Sequence, residues 1–173
     1  MTLGLQSGTV ELCEHDPAWH EAFSITAREL RSLIGDRIER IEHVGRTAIP
    51  GIPAKPILDV LVVVSDVARA EELIPKLQSL GYEYDADDPL EKRLFFTRGP
   101  DSGRTHHLAV VEEGTERFED YVAFRDALLA NPELAEAYAA LKRELAEQYA
   151  DDRETYTNEK AEFVQSVLDS QTG

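Results

Sequence analysis

Hydrophobic residues along the chain change their spacing at about residue 114. Before that point, short alternating or continuous apolar runs predict strands over 9–14, 37–44, 57–64, 82–85, 93–97 and 105–111. The run Ile57–Val64 has the β-branched content and the length of a central strand that is covered on both faces. After Gly114, apolar residues recur at spacings of three and four, and this pattern predicts helices only. We therefore expect an α/β (α+β) core with a mixed sheet over about residues 1–114 and a helical tail over about 115–170.

Two helices are predicted between the strands of the first half. The first begins at Asp16-Pro17, carries one apolar stripe, and ends at Gly35. The second begins at Ser65-Asp66 and runs to Leu80, and Pro75 within it is expected to kink or break it because proline lacks the backbone N–H. In the tail, helix starts are predicted at about residues 116, 131 and 151.

Composition and charge exclude several classes of protein. The 173 residues carry 34 acidic against 18 basic side chains, and a net charge of −16 argues against non-specific binding of nucleic acid. Cys13 is the single cysteine, which excludes an internal disulfide and a multi-cysteine zinc site. The beginning of the chain does not resemble a secretion signal, and no apolar run is long enough to cross a membrane. We therefore expect a single cytoplasmic domain over residues 1–173 without a membrane partner; the oligomeric state stays open.

One acidic residue, Asp59, interrupts the apolar strand Ile57–Val64. A buried carboxylate without a partner is costly, so Asp59 either has a partner at the wet end of the strand or binds a ligand. The turn Gly45-Arg46-Thr47 follows the preceding strand, and a glycine there lets a phosphate approach backbone N–H groups. A carboxylate on the next strand can hold the Mg²⁺ that neutralises such a phosphate. The spacing alone is equally compatible with a plain turn and a capped strand end.

Two adjacent histidines, His106 and His107, occur on a later predicted strand. Neighbouring residues on a strand point to opposite faces, so we expect only one of them beside Asp59. A histidine there suits Mn²⁺ or Zn²⁺, or binds phosphate when it is protonated. The alternative is a strand-edge histidine that bonds to backbone groups. His43, at a strand end before the glycine turn, has a similar position.

Several polar residues occur on the apolar faces of the predicted tail helices. They are Arg125, Asp126, Tyr138, Lys142, Tyr156 and Lys160. Tyr138 and Lys142 share one helix face by their spacing, as do Tyr156 and Lys160. Such residues are usually solvated or form ion pairs between helices. The alternative, favoured by lysines within apolar stripes of so acidic a chain, is that the tail lines a cleft and neutralises a triphosphate.

The sequence also resembles a known family. The stretch EHVGRTAIPGIPAKPILDVLVVV (42–64) is similar to the signature of the GrpB family, which runs E-H-hydrophobic-G-S-T-A-V-P-G-L-x-A-K-P followed by two hydrophobic residues, Asp and another hydrophobic residue. The similarity continues in order at RTHHLAVVE (104–112), FRDAL (124–128), PELAEAYAALK (132–142) and YTNEKAEFV (156–164). The GrpB family in turn resembles the nucleotidyltransferase superfamily. The resemblance therefore implies a nucleotidyltransferase-like mixed sheet with flanking helices, and a nucleotide with Mg²⁺ (or Mn²⁺) as ligands.

The chain departs from these patterns at two positions. Arg46 stands where the family pattern has serine after the glycine, and it either strengthens a phosphate contact or fills the pocket. Leu61 stands where the superfamily normally has a second strand acid, two residues after Asp59. Two-metal transfer generally needs several carboxylates, so Asp59 by itself would anchor one ion at most.

The resemblance and the residues together assign a site. Asp59 is predicted as the catalytic carboxylate and metal ligand, with His107 as a second metal ligand. The predicted phosphate-binding residues are Gly45, Arg46, Thr47, Lys55, Arg125, Lys142 and Lys160. The predicted function is metal-dependent nucleotidyl transfer from an NTP to an unknown acceptor. One alternative is a non-catalytic protein that binds a nucleotide or a phosphorylated metabolite, and another is a vestigial site in a protein that acts through partners.

Overall fold

A five-stranded mixed sheet forms the centre of the molecule in the computed structural model, which describes residues 3–4, 12–88 and 93–172. The strands are β1 (Arg40–Val44), β2 (Leu58–Val64), β3 (Tyr82–Tyr84), β4 (Arg93–Arg98) and β5 (His106–Glu112). They are ordered β1-β2-β5-β4-β3, with β2 and β5 parallel and the other neighbours antiparallel. The helices are α1 (Ala18–Ile34), α2 (Ile74–Ser79), α3 (Glu116–Ala130), α4 (Pro132–Gln148) and α5 (Arg153–Thr172). None of the helices in the described ranges has the length and apolarity needed to cross a membrane.

The predicted α+β class with a mixed sheet and a helical C-terminal segment is confirmed. The strand predicted over 57–64 is β2, and the predicted helix over 116–130 is α3 with the same bounds. Helix α4 begins as predicted, because the Asn131 side chain accepts hydrogen bonds from the backbone N–H groups of Glu133 and Leu134, and Pro132 occupies the first turn.

Three predicted elements differ from the structure. The helix predicted over 65–80 is divided into a 3-10 segment, Arg69–Leu73, and the short helix α2. Pro75 lies in the first turn of α2, where its missing N–H is not needed, so the break is the predicted one. The strand predicted over 37–44 begins only at Arg40, after a 3-10 turn at Gly35–Arg37. Of the strand predicted over 9–14, an isolated bridge of Cys13 to Ala54 is seen, and residues 9–11 lie outside the described ranges.

Apolar side chains cover the sheet on both faces. On one face, the core that α1 and α2 share with the strands includes Trp19, Leu30, Ile34, Leu58, Val60, Val62, Leu77 and Phe96. On the other face, Leu61 and Val63 pack with β5 and with Phe118 of α3. Because side chains alternate along a strand, Asp59 belongs to the same face as Leu61 and Val63. The carboxylate therefore lies on the side of the sheet that carries the C-terminal helices.

The loop between β1 and β2 packs against these helices. Ile49 and Ile52 of the loop are buried together with Leu128 of α3 and with Tyr138 and Ala139 of α4. These contacts fix the loop, which carries several predicted site residues, against the tail. The side chains of the loop, of the first residues of β2 and of α4 therefore meet in one region.

His106 lies on the α1 face, opposite to Asp59, and is 6% exposed. Its Nε2 lies 3.1 Å from Thr26 Oγ1, and its Nδ1 lies 2.8 Å from Thr105 Oγ1. Burial, followed by the charges of Arg98 and His107, lowers the pKa of His106 from 6.5 to about 4. The folded protein therefore holds this imidazole in its neutral form at neutral pH.

Acidification is expected to destabilise the protein through His106. Between pH 6.5 and about 4 the unfolded chain binds a proton that the folded chain does not bind. The stabilisation is therefore complete above pH 6.5 and is lost as the pH falls, by about 3 kcal/mol in all. Urea unfolding at about pH 7 and at about pH 5 should show a smaller loss for His106→Asn than for the wild type. Equal losses in the two proteins would contradict this assignment.

Candidate functional site

Asp59 and His107 form the floor of the candidate site. They are direct partners in the parallel pairing of β2 with β5, and His107 Nδ1 lies 3.5 Å from Asp59 Oδ1. The two side chains are 28% and 27% exposed, so this end of the sheet is open to solvent. Burial alone would raise the pKa of Asp59, but the hydrogen bond and charge of His107, followed by the charges of Arg46 and Lys160, hold it below its usual range. Asp59 is therefore a stable carboxylate at neutral pH.

Gly45 brings the loop into close contact with this carboxylate. Its φ of 72° and ψ of −167° place it in a backbone region that is essentially restricted to glycine. A Cβ built on Gly45 would collide with Asp59 Oδ2 and would lie 3.0 Å from Asp59 Cβ. The turn after β1 therefore needs glycine for both its conformation and its approach to Asp59.

Arg46 follows at the start of a 3-10 turn, Arg46–Ala48, and points toward the helical tail. Its Nη1 is buried and has no hydrogen-bond partner within the described ranges. Burial on its own would lower the pKa of Arg46, but Tyr138, Tyr156 and Asp59 raise it, so the guanidinium stays charged. The buried nitrogen is a donor of a charged group that lacks an acceptor.

Lys142 of α4 lies beside Arg46 in the protein interior. Its side chain is fully buried, and its Nζ lies 5.4 Å from the centroid of the Tyr138 ring without a hydrogen-bond partner in the described part of the chain. Burial, followed by the positive charges of Arg46, Lys160 and Lys55, lowers the pKa of Lys142 well below 10.5. A lysine ammonium in this position carries a large desolvation penalty. No acidic side chain among the described residues accepts a hydrogen bond from it to offset that penalty.

Two further lysines approach the same region from different elements. Lys55 Nζ, from the loop, lies 5.0 Å from the centroid of the Tyr156 ring, and Lys160 Nζ, from α5, lies 5.7 Å from it. We call Arg46, Lys55, Lys142 and Lys160 the cation cluster. Asp59 is a carboxylate whose negative charge acts on two members of this cluster, Arg46 and Lys142. In a chain of net charge −16, four converging cations form a site that is suited to an anion.

Most of the predicted site residues meet at this place. The residues brought together are Gly45, Arg46, Lys55, Asp59, His107, Lys142 and Lys160. The expectation that one histidine of the pair lies beside Asp59 is met by His107, and His106 points to the opposite face.

Two predicted phosphate-binding residues have other contacts. Thr47 is buried, and its Oγ1 lies 2.8 Å from Nε2 of His43. Arg125 donates from Nη1 to Glu42 Oε2 at 2.8 Å and to the His43 carbonyl at 3.1 Å, and from Nε to Asp126 Oδ1 at 3.0 Å. Arg125 therefore ties α3 to β1 through its Nη1 donors, which acceptors of β1 already use. Neither Thr47 nor Arg125 belongs to the cation cluster.

The aromatic part of the site was not assigned from the sequence. Tyr138 and Tyr156 are buried between the cations, and burial raises the pKa of Tyr138 to about 12 against the opposing effect of Arg46. Each tyrosine precedes a lysine of the cation cluster by four residues, and this spacing was the available signal. The tyrosine rings support the lysine ammonium groups by cation–π contacts.

A divalent metal fits this arrangement poorly. Asp59 and His107, the two predicted metal ligands, are adjacent, but residues 3–4, 12–88 and 93–172 contain no group of three or more His, Cys, Asp or Glu side chains placed to hold an ion. The charges of Arg46 and Lys160 reach Asp59 and would repel a second cation there. Mg²⁺ prefers oxygen ligands, namely carboxylates together with water or phosphate oxygens. Of the two predicted ligands, Asp59 supplies carboxylate oxygens, whereas His107 supplies a nitrogen.

The fold resembles that of a nucleotide-polymerising enzyme. It is similar to the Cid1 poly(U) polymerase in a crystal structure with bound MgATP, with a TM-score of 0.55 and 12% sequence identity over 78% of this chain and 44% of that chain. At this identity the likeness shows the fold alone, and the fold is nucleotidyltransferase-like. A closer likeness is to the conserved protein GrpB from Enterococcus faecalis, with a TM-score of 0.84 and 30% identity over 94% of this chain and all of that chain.

The chain belongs to the GrpB family. The family model described as GrpB protein matches residues 9–170. The glutamate-rich protein GrpB of Alkalihalophilus pseudofirmus is 36% identical over 96% of this chain and 98% of its own length. A UPF0157 protein of Pseudomonas aeruginosa is 38% identical over 92% of this chain and 66% of its own length. The resemblance seen in the sequence is therefore confirmed at the level of the family.

Proposed function

We propose that the protein binds a phosphorylated small molecule, either a nucleotide or a phosphorylated metabolite, in the cation cluster beside Asp59. The observation that carries this proposal is Lys142, a fully buried lysine whose Nζ has no hydrogen-bond partner among the described residues and which feels the charges of Arg46, Lys55 and Lys160. Phosphate oxygens are the acceptors that such ammonium and guanidinium groups bind most strongly.

The energetics support a ligand more than a structural role. A buried cation without a partner destabilises a folded protein, and three further cations nearby increase this effect. Groups with strongly shifted pKa values that converge on one place are more frequent at functional sites than elsewhere. An anion with several oxygens would accept from both Lys142 Nζ and Arg46 Nη1, two buried donors on cationic side chains that have no hydrogen-bond partner among the described residues. A nucleotide ligand agrees with the predicted cytoplasmic location.

Metal-dependent nucleotidyl transfer to an unknown acceptor is the second candidate. The observation that favours it is the pair of Asp59 and His107 at the open end of the sheet in a nucleotidyltransferase-like fold. These two residues would hold Mg²⁺ or Mn²⁺, which would polarise the phosphate. Leu61, in the place of a second strand acid, leaves the site short of the carboxylates that two ions need. Binding without turnover therefore agrees better with the residues present.

Ligand-dependent thermal unfolding tests the proposal. Wild-type protein is heated with ATP, GTP, CTP, UTP and the corresponding monophosphates, each with and without Mg²⁺. A ligand at about 100 times its Kd should add about 2.7 kcal/mol of stability. The shift should be lost in Arg46→Gln and kept in Arg28→Gln, an exposed arginine of α1 that serves as a control.

Three outcomes separate the candidates. A shift that needs Arg46 but no metal would support binding as proposed. A shift that requires Mg²⁺ and disappears in Asp59→Asn would favour nucleotidyl transfer and justify a search for the acceptor. The absence of a shift with every phosphorylated compound would contradict both functions.

A further inference from the structure

We propose that the cation cluster takes the place of a divalent metal, so that this site binds the oligophosphate chain of its ligand in metal-free form. This inference rests on the proposed function and names the part of the ligand that is recognised and its ionic state. It also reverses the expected role of Asp59, which becomes a group that limits anion affinity instead of an anchor for Mg²⁺.

The placement of the cations suits a chain of phosphates. Lys142 lies over the Tyr138 ring, and Lys55 and Lys160 lie over the Tyr156 ring. Arg46 is close enough to both tyrosines to influence their pKa values. The positive charges are therefore distributed along two neighbouring rings. A di- or triphosphate carries its negative charges on adjacent groups and matches such a distribution better than a single phosphate does.

The charges also explain why a metal is not needed. In metal-dependent phosphate sites, the ion neutralises the charge of the phosphate oxygens. Here, fixed lysine and arginine side chains from the loop, α4 and α5 supply that charge. A magnesium complex of an oligophosphate is less negative than the free anion, so the cluster should attract it less strongly.

The charge of Asp59 acts on both Arg46 and Lys142 and raises the pKa of each. Asp59 is an acidic residue among the described groups that have this effect on the two cations. A carboxylate whose charge reaches the cluster also repels an anion that is bound there. Asparagine has nearly the same shape and retains an oxygen that accepts a hydrogen bond from His107. The Asp59→Asn variant should therefore bind a metal-free oligophosphate more tightly than the wild type, whereas loss of a metal anchor would weaken binding.

Isothermal titration calorimetry with inorganic pyrophosphate and tripolyphosphate tests this inference. Each titration is done in EDTA and again with Mg²⁺ in excess, on the wild type, on Asp59→Asn and on Asp36→Asn. Asp36 is an exposed residue after α1, and its replacement changes the net charge equally without touching the site.

We expect binding of both compounds in EDTA and weaker binding in excess Mg²⁺. In EDTA, Asp59→Asn should bind roughly five- to tenfold more tightly than the wild type, and Asp36→Asn should bind as the wild type does. Binding that requires Mg²⁺, or that Asp59→Asn abolishes, would overturn the metal-free inference and leave the proposed anion site standing. No binding of either compound in either buffer would overturn the proposed function together with the inference.

Discussion

Replacement of Lys142 by methionine should stabilise the protein and abolish its binding of phosphorylated ligands. Methionine fills a similar volume without a charge, so the variant loses the desolvation penalty of a fully buried ammonium. We expect the free energy of unfolding to rise by about 1–4 kcal/mol, the range found where well-packed apolar residues replace buried charged groups. Binding of pyrophosphate should weaken by at least about tenfold, because a charged hydrogen bond in the site is lost. Urea unfolding and calorimetry measure the two effects.

The matched control is Lys76→Met on α2, where the lysine is exposed on the opposite side of the sheet. It should change neither stability nor binding appreciably. A decrease in stability on Lys142→Met, with unchanged binding, would show that the lysine has a structural partner and would contradict the account.

The stability difference between the wild type and Lys142→Met should depend on pH. The pKa of Lys142 is lowered from 10.5 in the folded protein, so over a range below pH 10.5 the unfolded chain holds a proton that the folded chain releases. The wild type therefore gains stability as the pH rises through that range, and the variant does not. The advantage of methionine should shrink as the pH rises from neutral toward 10.

Gly45→Ala should be strongly destabilising. The backbone of Gly45 is in a region essentially restricted to glycine, and the added methyl group would collide with Asp59 Oδ2. Strain and displacement of the carboxylate together should lower the free energy of unfolding by about 3–4 kcal/mol. Chemical denaturation measures this loss directly.

Gly51→Ala is the matched control for this change. Gly51 also has a positive φ, 85°, but an added Cβ would meet no atom within 4 Å. Its replacement should cost only the backbone strain, about 1 kcal/mol. If the free energy of unfolding fell equally in the two variants, the close approach of Gly45 to Asp59 would not contribute to the effect.

Local patterns in the sequence were sufficient for most of the fold. The apolar run of β2 and the spacing of three and four in the tail reflect burial of whole faces, which periodicity reports directly. The break before α2 was anticipated from the chemistry of Pro75, and the opposite directions of His106 and His107 followed from strand alternation. The late start of β1 was missed, because alternation does not show where a 3-10 turn precedes a strand.

The candidate site was only partly predictable. Spacing placed Tyr138 and Lys142 on one helix face, but whether that face is buried depends on packing against Ile49 and Ile52, more than 80 residues earlier in the chain. For the same reason, the sequence did not reveal that Glu42 accepts a hydrogen bond from the guanidinium of Arg125. Contacts between distant segments decide which polar residues keep unpaired donors.

Binding of phosphate in the cation cluster can be seen directly in a crystal structure with methylenediphosphonate, a pyrophosphate analogue that resists hydrolysis, grown in the presence of EDTA. We expect the analogue to lie within hydrogen-bond distance of Lys142 Nζ and Arg46 Nη1, with no metal between it and Asp59. Electron density for the analogue elsewhere on the protein, with Lys142 still without a partner, would contradict the assignment of this cluster as the phosphate site.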